Sequence, residues 1–316
     1  MNILVTGGNG YIGSHIIVEL LSHPEKDINV IVVDDLSHSD VTIPNKIYQI
    51  TQKYVTFYNM DIKSDKLRIV FENHAITHVI HLAGFKSVEE STKDPLKYYD
   101  CNVNGTINLL KVMKEFKVNN LIFSSSATVY EPSLFLLNEQ SGIAPSNPYG
   151  HTKLMNELIL SDLCTTGDFN CTILRYFNPI GNHESGLLIE LKSENVMPKL
   201  CDSLINHKIF YIYGQYNTRD YIHVVDLAKG HVAVMGQKGY HVYNLGTGKG
   251  TSVLELVTTM EHVLGKKINY EFRDARPGDV QTSICDPSKI KNELGWVAEL
   301  SIEKMCEDTV TGLNLL

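Results

Sequence analysis

Ile3-Leu4-Val5-Thr6-Gly7-Gly8-Asn9-Gly10-Tyr11-Ile12-Gly13-Ser14-His15 is the stretch from which the fold can be read. Four residues suited to a buried strand run into glycines at 7, 10 and 13, and an apolar, helix-spaced segment follows. A tight strand-to-helix turn needs a backbone without Cβ. The helix N-terminus then offers unpaired N–H groups and a positive dipole to a pyrophosphate. Glycine spacing alone is a weak signal, but here the strand precedes it and the helix follows it, as a dinucleotide-binding turn requires. Asp34 ends the second apolar run, 21 residues after Gly13. A carboxylate there accepts hydrogen bonds from adenosine ribose hydroxyls and repels a 2′-phosphate. The following Asp35-Leu36-Ser37-His38 holds no Arg, so the pattern favours NAD over NADP.

Outward from that turn, short β-branched or aromatic runs alternate with helical spacing. Strands are predicted near 3–6, 30–33, 55–58, 78–82, 120–124 and 171–175, and helices near 11–21, 63–72, 95–116 and 149–163. A βαβα alternation predicts an α/β, doubly wound parallel sheet of the Rossmann-like kind. Beyond about Pro179 the pattern loosens. Strands near 209–213, 241–245 and 269–272 mix with helices near 225–235, 253–264 and 301–311, which reads as a smaller C-terminal α/β lobe. The expected division is 1–178 for the dinucleotide domain and 179–316 for the substrate lobe, with the chain free to cross between them.

Composition narrows the function. With 316 residues, 43% of them hydrophobic, the chain can bury a large core. A net charge of -8 supplies no basic field for nucleic acid or an anionic membrane, so neither is expected as a partner. No apolar run reaches membrane-spanning length. The first strand begins at Asn2, which leaves no room for a leader peptide. The six cysteines are scattered, without C-x-x-C or His pairing at metal-ligand spacing; they read as reduced thiols, and a cytoplasmic location with no metal is expected.

A second constellation concerns proton transfer. Tyr149 and Lys153 lie four apart in Pro148-Tyr149-Gly150-His151-Thr152-Lys153, which places both on one helix face. An ammonium beside a phenol is expected to lower the Tyr149 pKa toward neutrality and make it a general base. Upstream, a strand ends in Ser124-Ser125-Ser126-Ala127-Thr128, where Ser126 can bridge a substrate hydroxyl and the phenol oxygen.

These motifs resemble the extended short-chain dehydrogenase/reductase family and, within it, the UDP-hexose 4-epimerases. The resemblance is carried by Thr6 to His15 and by His81-Leu82-Ala83-Gly84-Phe85-Lys86-Ser87-Val88. It continues through Ser124 to Tyr130, Pro148-Tyr149-Gly150 with Lys153, Arg175-Tyr176-Phe177-Asn178-Pro179, and Arg219-Asp220-Tyr221-Ile222-His223-Val224. It implies an isomerase with tightly bound NAD, a UDP-sugar substrate, a homodimer and the following roles. Gly7, Gly10, Tyr11, Ile12 and Gly13 would line the pyrophosphate. Asp34 and Ser37 would hold the adenosine ribose, and Asp61 and Ile62 would flank the adenine. Leu82, Ala83, Gly84, Lys86, Asn102 and Phe177 would lie on the nicotinamide side, with Tyr149 and Lys153. Ser126, Tyr149 and Lys153 would be catalytic. Lys86, Ser126, Asn178, Asn195, Arg219, Arg276, Asp279 and Ser283 would face the UDP-sugar. Two arginines suit a diphosphate, since guanidinium binds phosphate oxygens in a bidentate way.

The implied reaction is a transient oxidation at the sugar's C4, turnover of the flat 4-keto sugar about its anchored diphosphate, and reduction from the other face. The chain departs from the epimerase pattern in two places. The segment 187–196 is shorter and lacks Gly-Glu-Asp-Pro, and the loop between Tyr213 and Arg219 is several residues short. Both border the sugar and uridine in the family. This leaves UDP-glucuronate or UDP-pentose epimerase/decarboxylase chemistry as an alternative, and an inactive NAD-binding regulatory protein as an alternative of another class. A 4,6-dehydratase is disfavoured: related dehydratases carry Thr-Asp-Glu where this chain has Ser126-Ala127-Thr128. At position 283 the family places a wall of the sugar pocket beside C2. A Tyr there resembles hexose-only epimerases, and the small Ser283 resembles those that also accept UDP-GlcNAc and UDP-GalNAc.

Overall fold

The structure, a computed structural model, describes residues 1–24, 27–190, 193–276 and 280–313. Its first elements are β1 (Asn2–Thr6), α1 (Tyr11–Ser22), β2 (Asn29–Asp34), α2 (Ile43–Thr51), β3 (Thr56–Asn59), α3 (Leu67–Asn73) and β4 (His78–His81). There follow α4 (Val88–Lys93), α5 (Pro95–Tyr98), a π-helical turn (Tyr99–Asn104), α6 (Gly105–Glu115), β5 (Asn120–Ser126), α7 (Pro148–Thr165) and β6 (Asn170–Tyr176). The later elements are β7 (Asn178–Ile180), α8 (Val196–Ile205), β8 (Phe210–Tyr213), β9 (Thr218–His223), α9 (Val224–Ala233), β10 (Tyr240–Leu245) and β11 (Gly250–Ser252). The last are α10 (Val253–Leu264), β12 (Tyr270–Arg273), β13 (Thr282–Ser283), α11 (Ser288–Leu294) and α12 (Ile302–Gly312).

The chain divides into two compact units. The first comprises Met1–Val129, Pro145–Arg175 and His231–Tyr243; the second comprises Tyr130–Ala144, Tyr176–Gly230 and Asn244–Leu316. The first is built on a seven-stranded sheet of order β10-β6-β5-β4-β1-β2-β3. β1 runs parallel to β2 and β4, β2 to β3, and β4 to β5. Strand order reverses between β1 and β4, and in open α/β sheets ligands bind outside the strand C-termini at such a switch point. Leu4, Val79, Leu121, Phe123 and Ile173 from the sheet bury against Leu109 and Met113 of α6, Leu160 of α7, and Leu67 and Val70 of α3. The second unit has a four-stranded sheet in which β9 pairs with β7, β11 and β13, and a two-stranded parallel β8–β12 pair. Its core joins Leu200 of α8, Ile212 of β8, Leu256 and Met260 of α10, and Met305 and Val310 of α12.

Several sequence expectations are corrected. The strand near 241–245, expected in the C-terminal lobe, is β10, the outermost strand of the large sheet beside β6. The helix near 63–72 starts at Leu67, because the Asp61 carboxylate accepts the Lys63 N–H and its carbonyl accepts the Ser64 N–H, closing a turn. The helix read through 95–116 is three pieces, since the π-helical turn interrupts it. Helices α2, α4, α8 and α11 carried no expectation. In α8, Pro198 sits in the first turn, where a missing N–H forfeits no intrahelical bond.

Candidate active site

The turn after β1 is shaped by its glycines. Gly7 has φ +72°, and a Cβ there would lie 2.8 Å from the Ala83 nitrogen, so no side chain fits between the ends of β1 and β4. A Cβ on Gly13 would meet the Gly7 carbonyl oxygen at 2.5 Å and the Gly8 Cα at 2.7 Å. Helix α1 therefore lies directly on the turn. Its N-cap, Gly10, provides no side-chain cap, and its first turn holds no acidic residue. The first turn of the helix thus has neither a side-chain cap at Gly10 nor an acidic residue of its own, which suits a pyrophosphate at its N-terminus. Tyr11 and Ile12 open that helix.

Asp34, at the end of β2, is buried. One of its oxygens accepts the Asn9 N–H at 3.0 Å; the other accepts the Leu36 N–H at 3.0 Å and the Ser39 hydroxyl at 2.6 Å. It thereby ties the glycine turn to the loop carrying Ser37, whose N–H and hydroxyl both donate to Asp35. Asp61 accepts from Lys63, and Ile62 is buried against Gly105, where a Cβ would meet it at 2.7 Å. After β4, the Leu82 N–H donates to the Thr6 carbonyl at 3.1 Å. A Cβ on Gly84 would stand 2.9 Å from the Asn102 side-chain oxygen. Asn102 clamps the next residue by accepting the Phe85 N–H at 2.8 Å and donating to its carbonyl at 3.0 Å. Lys86 is exposed on that loop.

Ser126 ends β5, and its oxygen accepts the Thr128 N–H at 3.2 Å and hydroxyl at 3.0 Å. Position 127 offers only a methyl, so neither residue after Ser126 carries a carboxylate. Asn147 caps α7 by accepting the Gly150 N–H, and Gly150 lets the helix start press to the Thr128 carbonyl, 2.8 Å from where a Cβ would be. This sets Tyr149 beside Ser126. Burial raises the Tyr149 phenol above its ordinary 10, and a hydrogen bond with Ser126 opposes that rise. The expected lowering toward neutrality is therefore not present in the protein chain itself. Lys153 explains why. Its ammonium donates to the Ser124 carbonyl at 2.6 Å and the Ser124 hydroxyl at 3.3 Å, and lies 5.8 Å from the centre of the Tyr149 ring. Burial drives Lys153 down to about 8, against the upward pull of Cys101 and Glu157.

One turn further along α7, Glu157 receives a bidentate pair from Arg175, Nε at 3.0 Å and Nη2 at 2.6 Å, and the Ser125 hydroxyl. Both charged partners are buried. The sequence reading missed this brace. Its one legible sign was Glu157 four residues after Lys153, on the same helix face.

The second unit carries the remaining candidates. Phe177 is buried, and its N–H donates to the Leu245 carbonyl at 3.1 Å. Asn178, in β7, donates to the Asp220 carbonyl at 3.0 Å. Arg219 in β9 donates to the Thr218 carbonyl at 2.9 Å, and Ser283 of β13 is its register partner. These three polar side chains thus occupy adjoining strands. Arg276 is exposed and stacks over Tyr213, 5.2 Å from the ring centre. Asn195 is exposed at the start of α8, where it donates to the Glu190 carboxylate. Asp279 lies outside the described residues. Beside Arg219, Asp220 was overlooked as a structural anchor. Its fully buried carboxylate accepts the Thr247 N–H and hydroxyl, the Gly248 N–H and the Cys285 N–H, which ties the loop after β10 to the strand segment around Ser283. No group of His, Cys, Asp or Glu among the described residues is arranged to hold a metal ion. Among them, too, no helix is long and apolar enough to cross a membrane.

A dinucleotide turn at the switch point of a parallel sheet, with a Ser-Tyr-Lys group on the neighbouring strand and helix, defines a class. The chain belongs to the extended short-chain dehydrogenase/reductase family, and the family model described as GDP-mannose 4,6 dehydratase matches residues 4–309. It is 45% identical to the UDP-glucose 4-epimerase of Dictyostelium discoideum, over 97% of this chain and 94% of that one. Among solved structures it resembles the UDP-glucose 4-epimerase of Stenotrophomonas maltophila with bound NAD and formylated UDP-arabinopyranose. That match has a TM-score of 0.95 and 39% identity, and covers 99% of this chain and 98% of that one. The UDP-glucose 4-epimerase of Bifidobacterium longum in complex with NAD+ and UDP matches with a TM-score of 0.93 and 41% identity, over 99% and 98%.

Proposed function

We propose that this chain is an NAD-dependent isomerase that inverts C4 of a UDP-hexose, interconverting UDP-glucose and UDP-galactose. The observation that carries the reading is the Ser126–Tyr149–Lys153 group set on β5 and α7 in the same unit as the uncapped dinucleotide turn. Relatives of that name, matched over nearly the full length of both chains, support it.

Bound NAD supplies a reversible hydride acceptor for the sugar's C4. The chain's own residues handle the proton and the orientation. Tyr149 takes the 4-hydroxyl proton and gives it back, and Ser126 orients that hydroxyl through the hydrogen bond it already shares with the phenol. Lys153, held on the Ser124 carbonyl one turn along α7, does not lower the phenol in the chain alone, and its support of the phenolate belongs to the NAD-loaded site. Gly7, Gly10, Tyr11, Ile12 and Gly13 hold the pyrophosphate, Asp34 and Ser37 the adenosine ribose, and Asp61 and Ile62 the adenine. Leu82, Ala83, Gly84, Lys86, Asn102 and Phe177 bound the nicotinamide. On the second unit, Arg219 and Arg276 grip the diphosphate, and Asn178, Asn195 and Asp279 contribute around it. Firm diphosphate contacts with few sugar contacts let a flat keto sugar present either face.

A specific feature favours a wider substrate range. Ser283 is only partly buried and sits in register with Arg219. A small side chain there leaves room for an N-acetyl group at C2, so UDP-GlcNAc and UDP-GalNAc are substrates too. A cytoplasmic homodimer completes the reading. The helical stretches 95–116 and 149–163 would pair with those of a second copy in a four-helix contact, and Met155 and Leu158 lie 42% and 58% exposed on the second of them. Sedimentation at micromolar concentration should show the dimer, and a monomer there would contradict it.

The deciding experiment is to incubate the purified protein with UDP-galactose without added NAD. The expected result is conversion to an equilibrium mixture with UDP-glucose. No conversion would favour an inactive NAD-binding protein. Activity restricted to UDP-glucuronate or UDP-xylose would move the substrate class. Net NADH formation with external NAD would mark a dehydrogenase.

A further inference from the structure

A buried chain of hydrogen bonds runs from the end of β1 to the start of α7. The Thr6 hydroxyl lies 2.6 Å from His81 Nδ1, and His81 Nε2 lies 2.9 Å from the Thr106 hydroxyl. Thr106 donates to the Asn102 carbonyl at 2.6 Å. The Asn102 side chain clamps both main-chain groups of Phe85 and donates to the Thr152 hydroxyl at 3.0 Å. Thr152 in turn donates to the Tyr149 carbonyl at 2.7 Å. Thr6, His81, Asn102, Thr106 and Thr152 are all buried.

Proton counting fixes the direction. The Asn102 carbonyl can only accept, so the single Thr106 proton goes there. Thr106 must then accept from His81 Nε2–H. A neutral ring with its proton on Nε2 keeps a lone pair on Nδ1, which accepts the Thr6 hydroxyl proton. Burial drives the His81 ring down to about 3, and the Lys153 charge adds to that, so the ring stays neutral at working pH. The π-helical turn that carries Asn102 departs from regular helix geometry, and such turns frequently mark functional sites.

We infer that His81 is a positioning residue for the cofactor site: through Thr106 it fastens the π-helical turn, so that Asn102 sets the loop 84–86 and the first turn of α7 in fixed relation to the dinucleotide turn. The inference rests on the reading of this site as NAD-binding. His81 touches neither cofactor nor substrate in this scheme; it acts through Asn102. Its loss should loosen Gly84 and Tyr149 relative to one another while leaving the UDP-gripping residues of the second unit unchanged.

The test compares Thr106→Val, Thr106→Ser and His81→Leu with wild type as holoproteins. Valine keeps the shape of threonine without the hydroxyl; serine keeps the hydroxyl. Thr106→Val and His81→Leu should each release NAD about tenfold faster, measured by trapping free NAD with a coupled dehydrogenase, and lower kcat about tenfold with KM for UDP-galactose unchanged. Tenfold corresponds to about 1.4 kcal/mol. The double variant should lose little more than either single one, because both break one network. Thr106→Ser should stay within about twofold of wild type. NMR of ring nitrogens in the wild type, with His81 assigned by the variant's missing signals, should show Nε2–H from pH 8 to 5.5. Release and kcat near wild type for Thr106→Val would overturn the inference, as would serine failing as badly as valine, or an Nδ1–H or protonated His81. Should Thr106→Val not fold, the serine variant and the wild-type tautomer still decide. A wild type that retains NAD but epimerises nothing would sink the proposed function alone.

Discussion

Replacing Lys153 with Met should abolish most turnover yet remove a stability cost, and the two effects can be separated by pH. The Lys153 ammonium is buried, and burial takes it from an ordinary 10.5 to about 8. At 1.36 kcal/mol per pH unit, that displacement represents roughly 3 kcal/mol. The sign follows from proton binding. The unfolded chain keeps the lysine proton up to about 10.5, and the folded chain releases it near 8. Between those values the unfolded state binds more protons, so wild-type stability rises with pH across that window, and below it the folded chain carries the whole cost. Methionine fills similar space with no charge. Against this, the substitution forfeits donation to the Ser124 carbonyl and hydroxyl, and hydrogen bonds to charged groups contribute about 1.5–3 kcal/mol. The two effects nearly cancel at pH 7, where Lys153→Met should be about as stable as wild type or up to roughly 2 kcal/mol more so.

The stability difference should therefore be read across pH. Urea unfolding of NAD-stripped protein, followed by far-ultraviolet circular dichroism at pH 7.5, 9 and 10, cancels every titration the two proteins share. The wild type should gain about 2 kcal/mol on the variant between pH 7.5 and 10, most of the roughly 3 kcal/mol available. A constant gap over that range would refute the reasoning, since it would mean that the buried ammonium is solvated or paired well enough to keep its ordinary pKa. Turnover of the variant should fall at least about a hundredfold. Together the two results would show that turnover depends on an ammonium whose charging opposes folding.

Three further outcomes are expected. Tyr149→Phe should bind NAD and UDP as wild type does in equilibrium titration and lose at least about a hundredfold in kcat, in line with removal of a general base; near-normal turnover would remove Tyr149 from the mechanism. Gly13→Ala places a methyl 2.5 Å from the Gly7 carbonyl oxygen and 2.7 Å from the Gly8 Cα, backbone that cannot yield locally. The protein should purify without NAD and be destabilised by about 1–3 kcal/mol of overpacking, and normal NAD content would show that the turn tolerates a side chain. Ser283→Tyr should suppress UDP-GlcNAc turnover tenfold or more while sparing UDP-galactose, at the same overpacking cost of about 1–3 kcal/mol; a wild type that turns over UDP-galactose but not UDP-GlcNAc would mean the pocket is closed by another residue.

What the sequence discloses and what it hides divide along physical lines. The dinucleotide turn was legible because each glycine answers a local steric demand: Gly7 needs positive φ and Gly13 needs contact with its own preceding turn. The Tyr149–Lys153 spacing was legible because helix periodicity fixes which residues share a face. Partner choice across strands was not. The strand at 240–245 looks alike whether it joins a small lobe or edges the large sheet, since alternation of side chains says nothing about which neighbour accepts the backbone hydrogen bonds. The π-helical turn was hidden because apolar spacing runs through it unbroken, while the side chains bonded to its Asn102, those of Thr106, Thr152 and Asn156, lie on other helices. The Tyr149 pKa follows the same logic. Spacing brought the ammonium to the right face, but the Ser124 carbonyl on the adjacent strand holds it at 2.6 Å, so the chain alone leaves the phenol with burial as its dominant influence. A helix rule states which groups can meet; competition from the next strand decides which of them do.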